Sequence, residues 1–91
     1  MFTSPAVFVD IETNGGYGAN GRITEIALIR VEDGEIVEEY TTLINPGGPI
    51  PYWITQLTGI STEDVADAPY FDEIAEEIHR ILHGAIFVAH N

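Results

Sequence analysis

From Asn45 to Pro51 the chain reads Asn-Pro-Gly-Gly-Pro-Ile-Pro, and no regular element can run through it. Proline removes a ladder donor and fixes its own φ, and glycine weakens any strand it enters. The segment divides the chain into two parts with different periodicities. In the first part, Ala6 to Glu12 alternates: Val7, Val9 and Ile11 fall on one face, Phe8, Asp10 and Glu12 on the other. That period of two predicts a strand. A loop follows from Asn14 to Gly21, rich in glycine and asparagine. Ile23 to Glu32 is a second strand of Ile, Leu and Val, and Asp33-Gly34 is a hairpin turn signal. Ile36 to Ile44 is a third strand whose exposed face carries Glu38 or Glu39, Thr41 and Thr42. Together these predict an antiparallel meander.

After the break the period lengthens. Tyr52 to Thr58 predicts a short helix, with Pro51 near its first turn and Gly59 just past its end. Ser61-Thr62-Glu63-Asp64 has capping-box spacing and predicts one helical turn. Pro69 opens the longest helix, Tyr70 to His83, whose apolar stripe is Phe71, Ile74, Ile78, Ile81 and Leu82. Asp72, Glu73, Glu76 and Glu77 take the wet side, and Arg80 and His83 suit the negative helix end. Gly84 stops it. Ala85 to Ala89 is apolar throughout, as in a buried parallel strand. The expected fold is α/β: a mixed sheet of three antiparallel strands, then helices, then a parallel strand at a new edge. An exposed edge is a liability that more structure usually covers. The chain is therefore expected to be the N-terminal part of one domain, residues 1–91, truncated before its C-terminal strand and helices.

Ninety-one residues suffice for one small domain, and a hydrophobic fraction of 45% suits a globular chain. With no cysteine, disulfides, thiolate metal sites and a Cys nucleophile are excluded. No apolar run approaches the ~18 residues of a membrane span, and the N-terminus lacks signal-peptide character. A cytoplasmic protein without membrane partners is expected. The formal net charge is −12, from 15 acidic residues against 3 basic ones, all arginine: Arg22, Arg30 and Arg80. Such a surface repels a phosphate backbone. Carboxylates that hold divalent cations become locally neutral or positive, however, and basic groups can come from elsewhere.

Asp10 and Glu12 are the candidate chemical residues. Alternate strand positions put both carboxylates on one face at a strand's C-terminal end, where open α/β sheets bind ligands. Two such groups suit a hard cation such as Mg²⁺ or Mn²⁺. The bland reading is that both lie past the sheet and face water.

Phe8-Val9-Asp10-Ile11-Glu12-Thr13 resembles the first motif of the DEDD (DnaQ-like) 3′→5′ exonucleases, the family of the proofreading epsilon subunit of bacterial DNA polymerase III. The likeness continues in order through Ile23-Thr24-Glu25-Ile26-Ala27, Ile50-Pro51, Ile54-Thr55-Gln56-Leu57-Thr58-Gly59-Ile60, Val65-Ala66-Asp67-Ala68-Pro69 and Phe71. Val88-Ala89-His90-Asn91 is similar to the opening of the second motif. The resemblance implies an RNase H-like fold and two divalent metals, Mg²⁺ or Mn²⁺, held by four acids, with a general base to activate water. It implies that Asp10 bridges both metals and Glu12 binds one. It implies that Thr13 touches the terminal nucleotide, that Leu57 lies near the terminal base, and that Asn91 belongs with the substrate-binding set. For Leu57 the rival role is core, as for Ile54 and Ile60.

The second acid of the pattern, the third Asp and the base would lie beyond Asn91, so the 91 residues alone are expected to be inactive. His79 and His83 stand one helical turn apart, a spacing that can bind metal, but surface and helix-end roles fit better. His90 is read as structural. Gly15-Gly16-Tyr17-Gly18 lacks the lysine of a phosphate loop. Tyr17, Tyr52 and Trp53 can stack on bases, or pack at an interface.

The implied substrate is a nucleic-acid 3′ end, DNA or RNA, with a DNA polymerase subunit as protein partner. The rival from another class is a non-catalytic exonuclease-like module that docks on a polymerase or other protein, which the acidic surface suits. A different RNase H-like nuclease is a third reading. The Asp-x-Glu pair on one strand favours the exonuclease group over it.

Overall fold

A computed structural model describes residues 4–16 and 21–89. Four strands form one mixed sheet: β1, Ala6–Thr13; β2, Ile23–Glu32; β3, Glu35–Leu43; and β4, Ile86–Ala89. Their spatial order is β3-β2-β1-β4. β1 to β3 are the expected antiparallel meander, and β4 runs parallel to β1. The β2–β3 turn puts Asp33 at φ 53° and Gly34 at φ 80°. Two positive φ angles match the right-handed twist of the strands, which is why Asp-Gly serves there.

Helix α1 spans Tyr52–Thr58 and ends on Gly59 at φ 81°. The Ser61 segment forms a 3₁₀ turn at Glu63–Val65. It is closed reciprocally: the Ser61 N–H donates to Asp64 Oδ2 at 2.9 Å and the Asp64 N–H to Ser61 Oγ at 3.1 Å. Helix α2 spans Phe71–Leu82, with Glu73 accepting the Tyr70 N–H at 2.8 Å. Tyr70 and His83 are flanking residues, not helical ones, because their backbones are already extended.

Two apolar clusters hold these elements. Val7, Ile26 and Leu28 from the sheet meet Ile78 and Ile81 of α2, with Ile44 closing one side. Ile50, Ile54, Ile60 and Val65 form a second cluster under α1, against Leu43 and Ala68. Antiparallel partners share a face. Val9 and Leu28 therefore turn to α2, while Asp10 and Ala27 turn to the other side.

Three expectations need correction. β4 is parallel as expected but not buried: Phe87 keeps 61% of its surface, because β4 is an edge strand. Thr41 and Thr42 lie on opposite faces, since Thr41 pairs with Ala27 and Thr42 with Ile26. Phe71, at the mouth of the α2 stripe, is exposed. Arg80 stands in the last turn of α2 as expected, but the C-terminal carbonyls there are held by Arg30, reaching from β2. Arg30 Nη1 donates to the Ile81 and His83 carbonyls at 2.6 and 2.8 Å, and its Nε to Glu32 at 2.7 Å. Arg80 instead ties α2 to β3 through Glu38 and binds Glu77 on its own helix. The hydrogen bond from Arg80 holds the Glu77 carboxyl below its ordinary value.

A candidate metal-binding active site

β1 is paired on both sides, by β2 along its length and by β4 as far as Val9 and Ala89. Both bounds are those of the described residues, and the candidate acids lie in the last four residues of β1. Asp10 is exposed and Glu12 half-buried, both on the face away from α2. Among the described residues no ion pair engages either one. Asp10 stands at the rim of a shallow cavity of about 260 Å³, otherwise apolar, lined by Phe8, Val9, Ala27 and Ile29. A larger cavity of about 480 Å³, between Arg22, Ile23, Asn45 and Tyr70, contains neither acid.

The register adds a residue to which sequence reasoning gave no role. Glu25 lies directly across from Glu12. Like charges opposite one another in a ladder repel unless a cation lies between them or water screens them. No sequence signal gave this juxtaposition, because the β1–β2 register depends on how the loop between them closes. The donor chemistry fits Mg²⁺ or Mn²⁺: hard oxygens, unpaired, at a strand end. The described residues hold no cluster of three or more potential ligands, and Asp10 and Glu12 would supply two.

Beyond the acids, Thr13 Oγ1 accepts the Gly15 N–H at 3.2 Å, which leaves the Thr13 O–H free to donate. Asn14 ties the loop shut at its base: its Oδ1 accepts the N–H groups of Gly16 and Arg22, both at 3.1 Å. Gly15, at φ 81°, presses against α1. An added Cβ there would come within 2.5 Å of Ile54 Cδ1 and 3.5 Å of Trp53 Cη2. Ile54 is buried in the second cluster, so its side chain would have to shift among packed neighbours. Gly15→Ala is accordingly expected to cost about 1–3 kcal/mol through overpacking and a strained φ. A thermal unfolding curve measures it; an unchanged midpoint would show that α1 does not rest on this turn.

Burial separates the apolar residues in and just after α1. Ile54 and Ile60 are core, but Leu57 is 77% exposed and is not. His79 and His83 are exposed, with ring centroids 5.9 Å apart, and join no larger ligand cluster among the described residues. Tyr17, His90 and Asn91 lie outside the described residues. No helix among those residues is long and apolar enough to cross a membrane.

A protein-family model described as "Exonuclease" matches residues 7–91. Curated relatives include the 3′-5′ exonuclease DinG of Bacillus subtilis, 44% identical over 86 residues, covering 93% of this chain and 9% of that protein. A PolC-type DNA polymerase III of Clostridium perfringens is 38% identical over 90 residues, covering 99% and 6%. A DNA polymerase III subunit epsilon-like protein of Rhodobacter capsulatus is 41% identical over 88 residues, covering 93% and 12%. The chain thus spans a small part of the length of these relatives. Among solved structures, exonuclease X in complex with 5′-overhanging duplex DNA superposes with a TM-score of 0.74 at 32% identity, covering 94% of this chain and 48% of that one. E. coli exonuclease I in complex with a dT13 oligonucleotide gives 0.81 at 21% identity, covering 98% and 21%, a likeness of fold alone.

Proposed function

The chain belongs to the DnaQ-like exonuclease family, and from that premise we propose that the protein carrying it is a metal-dependent 3′→5′ exonuclease. It removes nucleoside monophosphates from nucleic-acid 3′ ends, in the first instance from DNA. The observation that carries the proposal is the Asp10–Glu12 pair, free of ion pairs among the described residues and held at the end of the central strand. Two unpaired carboxylates on one face are costly to keep close together unless a cation balances them.

Asp10 would hold both divalent ions and Glu12 one of them. When bound, the ions supply an activated water and neutralise charge on the phosphodiester. Thr13 offers its O–H to the terminal nucleotide, exposed Leu57 borders the terminal base, and Asn91 joins the substrate-binding set. The family resemblance assigns none of the other acidic ligands, nor the general base, to a residue of this sequence. DNA is favoured over RNA by the names of the polymerase III relatives and by the DNA-bound exonuclease X. The same names support a polymerase subunit as protein partner.

The test is a 5′-labelled single-stranded oligonucleotide incubated with the whole protein and Mn²⁺. A ladder shortening from the 3′ end, stopped by chelation, is the expected result. No shortening of DNA or RNA would discard the enzyme reading. It would favour a non-catalytic module docked on a basic protein, for which the net charge of −12 is the supporting observation.

A further inference from the structure

The arginines of this chain are committed or placed elsewhere. Arg30 is spent on the end of α2, and Arg80 on Glu38 and Glu77. Arg22 donates to the Gly21 carbonyl and lines the larger cavity, which contains neither acid. With no lysine and a net charge of −12, these residues have little with which to grip a phosphate backbone electrostatically. A strand end held here needs attraction of another kind.

Helix α1 carries the groups that can supply it. Tyr52, Trp53 and Leu57 are 76%, 63% and 77% exposed, although they flank a fully packed Ile54. Trp53 and Leu57 are one turn apart and share a helix face. That face is fixed relative to the acids. Thr13 follows Glu12, its hydroxyl binds the Gly15 N–H, and the Gly15 turn packs against Trp53 and Ile54. The indole is therefore anchored at one edge beside the turn that leaves the carboxylate strand, and open over most of its surface.

We propose that Trp53 is a substrate-binding residue that stacks on a base at the 3′ end presented to Asp10 and Glu12, replacing the cationic contacts this chain lacks. This rests on the exonuclease reading above and names how that site holds its substrate. Stacking on an aromatic face tolerates any base, so the contact contributes affinity without sequence preference. Its loss acts on substrate binding and not on the hydrolytic step.

The test uses the whole protein with a single-stranded oligonucleotide ending in 2-aminopurine, whose emission is quenched by stacking. Trp53→Ala is expected to raise KM roughly five- to hundredfold, the range of one lost base–aromatic stack, with kcat little changed. It should also restore 2-aminopurine emission in the complex. Trp53→Phe, which keeps a ring, should recover most of the KM. Asp10→Ala should lose turnover yet retain the quenching. An unchanged KM and unaltered emission in Trp53→Ala, with hydrolysis intact, overturn the stacking role alone. Absence of metal-dependent hydrolysis in the unaltered protein overturns the exonuclease reading and this inference with it.

Discussion

Replacing Asp10 with alanine is expected to lower 3′-end shortening by on the order of 10³-fold while leaving the fold intact. The two halves of that expectation have separate causes. A divalent ion at a scissile phosphodiester contributes several kcal/mol to transition-state stabilisation, and each ~1.4 kcal/mol is a factor of ten in rate. Asp10 is the proposed bridge between two ions, so its loss disturbs both. Structurally, Asp10 is exposed and makes no ion pair among the described residues. Its removal leaves no buried group without a partner. Rates under substrate-saturating conditions, beside thermal unfolding of the same preparation, separate the effects. A variant that folds and still shortens DNA at the normal rate would remove Asp10 from the chemistry.

Leu28→Ala is the counterpart, with a large effect on stability and none on the acids. Leu28 sits in β2, between β1 and β3, and is 1% exposed. It pairs with Val9 on one side and Tyr40 on the other, and joins the cluster that Ile78 and Ile81 complete from α2. Truncating a leucine so enclosed costs about 2–5 kcal/mol, from lost burial and the cavity left behind. Small domains have only about 5–15 kcal/mol in all. The denaturant midpoint should fall markedly, and activity below the transition should stay near normal. A loss of stability under about 1 kcal/mol would mean that the sheet collapses into the space and that the α2 face is loosely packed.

The sheet and helices were legible because local chemistry and tertiary packing agree along most of the chain. The bounds of β2 and α1 follow the apolar pattern and the Pro51 and Gly59 signals residue for residue. Asp10 and Glu12 could be placed on one face because a strand's period admits no other arrangement. The features that escaped depend on contacts between distant segments. Arg30 lies 51 residues from Ile81, and nothing along the strand marks it as the cap of a later helix. The exposure of β4 depends on what covers an edge, which an apolar run of residues does not reveal. Leu57 and Ile54 are equally apolar in sequence. Only the position of the Gly15 turn and the second cluster decides that one faces inward and the other out.

The strand order also bears on how the acids come into place as the polypeptide leaves the ribosome. β1 has its antiparallel neighbour within the next twenty residues, whereas its parallel neighbour β4 is made only after both helices. Contacts between near segments close at lower entropic cost than those between remote ones. The β1–β2–β3 meander can thus organise during synthesis, with Asp10 and Glu12 already side by side, before α2 or β4 has emerged. Vectorial synthesis delivers the paired acids early and their surroundings late.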